Sequence, residues 1–529
     1  MTPPTPPHMQ PFAGQESTLD ALLARHLAQR PDAVALEFRE LGAAQPAPEP
    51  DNWRKLSYRD LAWHVHAMAR RLQPQLRPGD RVAWLGLNHP AQIALLFALA
   101  RIGAVLVPLN HRLAPAEWAA VLADCTPVLL LHDADFAPAA LAATAQLAQP
   151  PQLRSLAWLI GDPVPEDGAE APQAPPPDAS ATPVLLVYTS GTTGAPKGAL
   201  HTQGNLLANM AMAAAVQALT PQDVVATVLP LFHVGGLCIQ TLPALWAGAR
   251  VLLFSRFDAS ATLACFEADR PSLSLQVPAT LKALIEHPRW PDTNLGSLRT
   301  VWAGSSVLPD GLIAAFHARS LPVCNVYGST ETGPFSIALP PAQAHSHVGS
   351  CGWPAPGVEV LLCDPHGAAV QPGAVGEICV RAANVVRHYW PDTPACDEQG
   401  FFHTGDLARQ AEDGSYTVVG RAKDMVISGG ENVYPAEIEN LLNQHPLVAE
   451  CAVLGQADAR WGEVVVAVVV LRDGQAAPED WAEALRGTLD GRLARYKWPR
   501  RWLRADSLPK TALGKVQKPA LQAWLAQTG

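Results

Sequence analysis

The sequence has no excess of basic residues: Lys plus Arg number 38 against 48 Asp plus Glu, a formal charge of −10. With no basic block anywhere along the chain, a nucleic-acid partner is not expected. Its nine cysteines are odd in number, scattered, and form no CxxC pair. That excludes a zinc ribbon or a dithiol redox couple and points to free thiols in a reducing cytoplasm. No uninterrupted apolar run is long enough for a bilayer. The nearest, Ile93 to Leu109, is broken by Arg101, Gly103 and Pro108, so it is expected to be a buried helix, IALLFALA, leading into a strand, AVLVP. VVVAVVVL, near residue 468, is short enough to be a buried strand. The opening MTPPTPPHMQPFAG carries neither the basic region nor the apolar stretch of a secretory signal, and residues 1–17 are expected to form a disordered Pro-rich tail. There is no repeat of solenoid length and no HRD or DFG triplet, which removes the protein-kinase reading.

What is present is ordinary globular composition, 48% apolar and 16% charged over 529 residues, enough for at least two domains. From residue 18 helical patterns alternate with short apolar runs such as RVAWLGL and PVLLLHD, as in parallel sheets covered by helices. Residues 162–183, DPVPEDGAEAPQAPPPDASATP, form an exposed connector. Alternation resumes through VVATVLPL, ARVLLFS, SLSLQV, TVWAGSS and VCNVYGS. Around 357–420 short strands separated by Gly, Asp and Pro predict a small all-β subdomain. After Arg421 the pattern becomes βαββα, with a helix beginning at Pro435 and another over 478–494. The fold class is thus α/β: a large N-terminal domain over 18–421 and a small mobile α+β domain over 422–529.

One stretch carries obvious chemistry. YTSGTTGAPKG, Tyr188 to Gly198, offers the hydroxyls of Thr189, Ser190, Thr192 and Thr193, glycines 191 and 194 that let backbone N–H groups approach an anion, and the Lys197 cation. These suit a polyphosphate, in an expected strand, loop and helix setting. A flexible surface turn has the same composition. The P-loop pattern GxxxxGK[ST] does not fit, since Lys197 is followed by Gly198, not by a magnesium-binding hydroxyl.

The loop resembles the signature of the adenylate-forming superfamily, which includes acyl- and aryl-CoA synthetases, peptide-synthetase adenylation domains and beetle luciferases. The resemblance recurs in the family's order: GAVLVPLN (103–110), PLFHVGGL (230–237), NVYGSTETG (325–333), FHTGDLA (402–408), GRAKDMVISGGENVYPAEIE (420–439) and PKTALGKVQK (509–518). It covers the chain from about residue 20 to the end.

It implies that Thr189, Ser190, Thr192, Thr193 and Lys197 hold the β- and γ-phosphates of ATP, with Gly191 and Gly194 permitting close approach. Tyr327, with Gly328 and Ser329, would meet the adenine, Thr330 the α-phosphate, and Glu331 would bind Mg²⁺. Asp406 would accept both ribose hydroxyls, supported by Arg421. Lys515 would bridge substrate carboxylate and α-phosphate. Lys423 and Asp424 occupy the hinge, and Ser428, Gly429, Gly430 and Trp461 would approach CoA. Taken alone, Trp461 is equally a core or surface aromatic, and Lys515 a solvated lysine.

The resemblance also implies the chemistry. A carboxylate is a poor electrophile, whereas its mixed anhydride with AMP carries a good leaving group. The acid attacks the α-phosphorus, expels pyrophosphate, and the acyl group then passes to the CoA thiol. His233, Gly235, Trp302, Gly304, Ser305 and Phe335 would line the acyl pocket. His233 stands where amino-acid-activating relatives carry an aspartate, so an α-amino acid is disfavoured. Without Arg or Lys in those walls, an uncharged medium-chain fatty or aromatic acid is expected. A stand-alone enzyme loading a carrier-protein phosphopantetheine, or a luciferase-like oxygenase, would share every motif. The C-terminal LAQTG, however, carries no peroxisomal SKL address. Oligomeric state is left open.

Overall fold

The computed structural model describes residues 16–41, 53–161, 179–190, 196–304, 308–428, 431–458, 460–472, 480–511 and 514–528. Outside them lie residues 1–15 of the expected tail, connector residues 162–178, the loop residues Gly191, Thr192, Thr193 and Gly194, and also Ser305, Gly429 and Gly430.

Two large sheets build the N-terminal part. A nine-stranded sheet runs parallel through Val323–Tyr327, Thr300–Ala303, Leu273–Gln276, Val224–Thr227, Arg250–Phe254 and Val34–Arg39, with antiparallel strands at both edges. An eight-stranded sheet carries Pro183–Ser190, Val105–Pro108, Arg81–Leu85, Leu129–His132 and Gln152–Ser155 in parallel. Strands such as Val105–Pro108 and Leu273–Gln276 are buried at every position, the pattern of strands covered on both faces.

The helix Pro90–Ile102 lies between these layers with eleven of its residues buried. Pro90 fits the first turn, where no N–H is needed, and Gly103 at φ +76° ends the helix in a left-handed cap. This is the buried helix and following strand expected for 93–109. Among the described residues no helix is long and apolar enough to cross a membrane.

The expected all-β subdomain is a four-stranded antiparallel sheet of Glu359–Cys363, Val375–Arg381, Phe402–Gln410 and Tyr416–Arg421. The chain leaves it at Arg421, makes one 3-10 turn, Ala422–Asp424, and enters the C-terminal five-stranded sheet at Val426–Ser428. There, Val448–Asp458 and Gly462–Leu471 pair along almost their whole length, with helices Pro435–Leu442, Trp481–Leu489 and Lys518–Thr528 against them.

Three expectations need correction. The phosphate-type loop is not followed by a helix: Pro196–Thr202 is a strand pairing back on Pro183–Ser190, and the helix Gln203–Val216 starts only after it, capped by Thr202. The helix expected over 478–494 ends at Leu489. The connector's last residues are regular, with a 3-10 turn at Ala179–Ala181 and a strand from Pro183.

Candidate active site

The strands Pro183–Ser190 and Pro196–Thr202 on either side of residues 191–195 pair antiparallel. Thr189 lies opposite Lys197 and Ser190 opposite Pro196 in that register, and the Thr189 hydroxyl reaches the Lys197 carbonyl at 3.4 Å. Side chains directly opposite in a pair share one face, so the Thr189 hydroxyl and the Lys197 cation stand together. Lys197 Nζ sits 5.5 Å over the ring of Tyr389.

Tyr389 pairs with Ala199 in the same sheet, and its hydroxyl donates to Glu331 Oε1 at 2.9 Å. One aromatic side chain therefore touches both Lys197 and the buried carboxylate. Burial, followed by the adjacent Glu331 charge, pushes the Tyr389 phenol well above its ordinary pKa, so it stays a donor. Sequence reasoning missed this residue. It lies in HYWPD, outside every quoted motif, and a link across fifty-eight residues has no spacing signal.

Glu331 and Thr330 are buried in the turn after the strand Val323–Tyr327. Gly328 in that turn has no room for a side chain, since a Cβ would stand 1.8 Å from the Pro334 carbonyl oxygen. The Ser329 N–H donates to the Thr332 hydroxyl at 2.9 Å, closing the turn.

Tyr327 donates to Asp406 Oδ2 at 3.0 Å, and Arg421 Nε stands 2.8 Å from Asp406 Oδ1. Asp406 and Arg421 face each other across paired strands. The Thr404 hydroxyl accepts from the Asp406 N–H at 3.1 Å and donates to the Ile378 carbonyl at 2.8 Å, fixing the bend that presents the carboxylate.

Lys515 comes from the far end of the chain. Its turn is closed by Thr511 N–H to the Lys515 carbonyl at 2.7 Å and by Lys515 N–H to the Thr511 hydroxyl at 3.2 Å, with Gly514 at φ +78°. Gly514 also packs on helix Pro278–Ile285, where a Cβ would come within 2.9 Å of Ala279 Cβ. A cavity of about 970 Å³ between the N- and C-terminal parts is lined by Tyr327, Gly328, Ser329, Asp406, Arg421 and Lys515. Desolvation and then the Arg421 charge draw the Lys515 pKa down, while Asp406 and Asp424 oppose this.

Among the described residues, two polar contacts join the C-terminal part to the helix Pro278–Ile285 and Glu286, besides the packing of Gly514 on Ala279. Lys282 Nζ donates to the Ala449 carbonyl at 2.9 Å, and Arg472 meets Glu286 at 3.4 Å. Ser428 and Trp461 do not line the cavity. Ser428 pairs with Gly462, next to Trp461, whose ring lies 4.1 Å beneath the Arg500 guanidinium and 5.0 Å from that of Arg460.

None of the described acyl-pocket candidates, His233, Gly235, Trp302, Gly304 and Phe335, lines this cavity; they pack beside it. Trp302 and Phe335 are fully buried with ring centroids 6.2 Å apart. Gly304 packs on the next strand, where a Cβ would lie 2.9 Å from the Val326 carbonyl oxygen. His233 caps the short helix containing Gly235, its Nδ1 accepting from the Gly235 N–H at 3.0 Å, and burial lowers its pKa to about 4, so the ring is neutral. Asn209 links the two segments: it donates to the Cys238 carbonyl at 2.7 Å and accepts from the Phe335 N–H at 3.3 Å.

Residues 23–390 match the AMP-binding enzyme family, and residues 437–515 match the AMP-binding enzyme C-terminal domain. The chain belongs to this family of adenylate-forming enzymes, and it is an AMP-forming acid–thiol ligase. It is 43% identical to indoleacetate–CoA ligase of Aromatoleum aromaticum over 96% of this chain and 98% of that protein. It is 41% identical to feruloyl-CoA synthase of an Amycolatopsis species, covering 88% and 92%. Among solved structures, the anthranilate CoA ligase AuaEII in complex with anthranoyl-AMP superposes with a TM-score of 0.86 at 26% identity, covering 97% of this chain and 98% of that one.

Proposed function

We propose that this protein activates an aromatic carboxylic acid with ATP and passes the acyl group to CoA. The observation that carries this reading is the convergence of Tyr327, Asp406, Arg421 and Lys515, from distant parts of the chain, on one cavity. Two acceptor oxygens on Asp406, held from opposite sides by Tyr327 and Arg421, suit the paired hydroxyls of a ribose. Thr189 and Lys197 face the β- and γ-phosphates, with Ser190, Thr192, Thr193, Gly191 and Gly194 completing that loop by resemblance. Thr330 meets the α-phosphate.

The acid's own charge makes it the nucleophile, so no base is needed. Lys515 binds the carboxylate and the α-phosphate together, offsetting the repulsion between two anions and the charge that builds as pyrophosphate leaves. Glu331 offers a hard oxygen donor of the kind Mg²⁺ takes, and Tyr389 fixes its other oxygen. When bound, the ion supplies further charge neutralisation on the phosphates. Replacing Tyr389 by Phe leaves the ring under Lys197 but frees Glu331. We expect the Mg²⁺ concentration for half-maximal pyrophosphate release to rise by about 10- to 100-fold. An unchanged Mg²⁺ requirement in that titration removes Tyr389 from the site.

For the second half-reaction the Ala422–Asp424 turn acts as the hinge, with Lys423 and Asp424 in it. Rotation there brings Ser428, Gly429, Gly430 and Trp461 toward the thiol and withdraws Lys515. The Arg460 and Arg500 guanidinium groups around Trp461 are cations suited to the phosphates of CoA.

An aromatic substrate is supported by the uncharged, aromatic side chains of Trp302 and Phe335 at the segments the resemblance assigns to the acyl group, and by relatives named for indoleacetate and ferulate. All nine cysteines are free, in keeping with the reducing cytoplasm as the site of action. The test is pyrophosphate release across aryl, short, medium and long-chain acids, with CoA present or absent. Aryl acids are expected to give the highest kcat/KM, with CoA required for thioester. Preference for a long-chain acid, or transfer only to a carrier protein, overturns the assignment.

A further inference from the structure

The outer face of the four-stranded sheet carries a cluster unused by the adenylation chemistry. Glu377 pairs with Cys363 across one neighbouring strand, and Cys379 pairs with His403 across the other. Opposed and alternate positions share a face, which puts Glu377, Cys379 and His403 together. Ligand atoms of these three residues all lie within 4.8 Å of one another. His403 Nδ1 is 3.1 Å from Glu377 Oε2 and 3.4 Å from Cys379 Sγ. A tetrahedral zinc ion with Zn–N and Zn–O near 2.0–2.1 Å and Zn–S near 2.3 Å has ligand-to-ligand edges of about 3.3–3.6 Å. The two edges from His403 Nδ1, 3.1 and 3.4 Å, stand close to those values, and the third is within 4.8 Å.

The outer groups are also arranged as such a site requires. A metal-bound histidine holds its other ring nitrogen on a carboxylate, and His403 Nε2 lies 3.3 Å from Asp397 Oδ2. The Glu377 oxygen not facing His403 accepts from the Gly405 N–H at 2.8 Å. Glu359 and Arg381, on the same face, pair with each other at 2.6 Å and stay out of the set. A simple ion pair accounts for the imidazolium between two carboxylates, while the Cys379 thiol, which also reaches the Glu377 carbonyl at 3.7 Å, adds a sulfur beside the same nitrogen.

We propose that Glu377 Oε2, Cys379 Sγ and His403 Nδ1 form a binding site for a thiophilic divalent cation of the Zn²⁺ class. Binding releases the Cys379 thiol proton and any proton on His403 Nδ1, while Nε2–H stays on Asp397. Without metal, burial keeps the Cys379 thiol protonated, and although burial opposes the charge on His403, Glu377 and Asp397 together raise its pKa. The half-exposed His403 ring gives the ion a path from solvent. Through Glu377 the site is joined to Gly405, one residue before Asp406, so an ion there would brace the ribose-binding bend.

The test uses the full-length protein with Zn²⁺ alone, by equilibrium dialysis with metal analysis, and with Co²⁺ as an optical probe. The expected result is one tightly held ion per chain and a thiolate-to-cobalt charge-transfer band. Cys379→Ser and His403→Gln should each weaken binding by about 10- to 100-fold. Glu377→Gln, which keeps an oxygen for the Gly405 N–H, should weaken it too and guards against a variant that fails to fold. Equal metal uptake by wild type and the folded variants, or a cobalt complex without the thiolate band, overturns the proposal.

Discussion

Lys515→Ala is expected to lower acid-dependent pyrophosphate release by about 10²- to 10³-fold, the range seen when one preorganised donor to a developing oxyanion is removed. The lysine lines the cavity with Asp406 and Arg421, and the other cations there are engaged: Lys510 with Glu450, Lys518 with Asp424 and Glu439, Arg472 with Glu286, and Lys282 with the Ala449 carbonyl. Arg421 is committed to Asp406 at 2.8 Å, and Lys197, outside this cavity, sits over the ring of Tyr389. The same variant, supplied with preformed acyl-AMP and CoA, should make thioester at close to the wild-type rate, because that step follows withdrawal of Lys515. A pH profile separates charge from bulk. Desolvation and the neighbouring Arg421 draw the Lys515 pKa below that of an ordinary lysine, so the cation is lost earlier as pH rises. The alkaline limb of kcat/KM, which reports the free enzyme, should therefore fall early in wild type. In Lys515→Arg, whose charge persists at high pH, the limb should move out of range. Full pyrophosphate release by Lys515→Ala would remove the residue from the first half-reaction.

The fold was legible where burial is two-sided. Runs such as AVLVP and VLLVY read as strands covered on both faces, and they pair with each other at the centre of the eight-stranded sheet. The strand Pro196–Thr202 was not legible. Gly198 and Lys197 break its apolar run, and it is held in place by pairing with Pro183–Ser190 rather than by its own propensity. The helix signal was correct but late, since Thr202 and Asn205 form a capping box seven residues beyond the point where the loop ends.

The site divides in the same way. Tyr327, Asp406, Arg421 and Lys515 were named because each stands in a motif whose order the family keeps, and all four line one cavity. Tyr389 could not, because its role exists only through Glu331 Oε1 and Lys197 Nζ, both distant in sequence. Asn209 was hidden for a similar reason: a polar residue on a mostly buried helix gives no hint that it joins Cys238 to Phe335. The Glu377, Cys379 and His403 cluster arises from strand register alone, which a search for CxxC spacing does not detect.

Lys423→Pro should separate the half-reactions in the opposite sense. Lys423 is the middle residue of the single turn, Ala422–Asp424, between the four-stranded and five-stranded sheets. Proline fixes φ near −65°, close to the 3-10 value of about −50 to −70°, so the arrangement with Lys515 in the cavity stays accessible. A cost arises at Ala422, since the residue before proline is pushed out of helical conformations. Contacts outside the turn, Lys282 to Ala449 and Arg472 to Glu286, still hold the C-terminal part in place. Those contacts are a single hydrogen bond and an exposed ion pair, worth little each, which is consistent with the proposed rotation. What proline removes is the backbone rotation itself, and with it the approach of Ser428 and Trp461 to the thiol. Pyrophosphate release in a single turnover should stay within about threefold of wild type, while acyl-CoA formation falls by about 100-fold, ~2.7 kcal/mol in barrier. Acyl-AMP should then accumulate on the enzyme, where quench and chromatography can measure it. If acyl-CoA forms at the wild-type rate, the hinge lies elsewhere, and Lys423→Ala provides the control for loss of the side chain without restriction of φ.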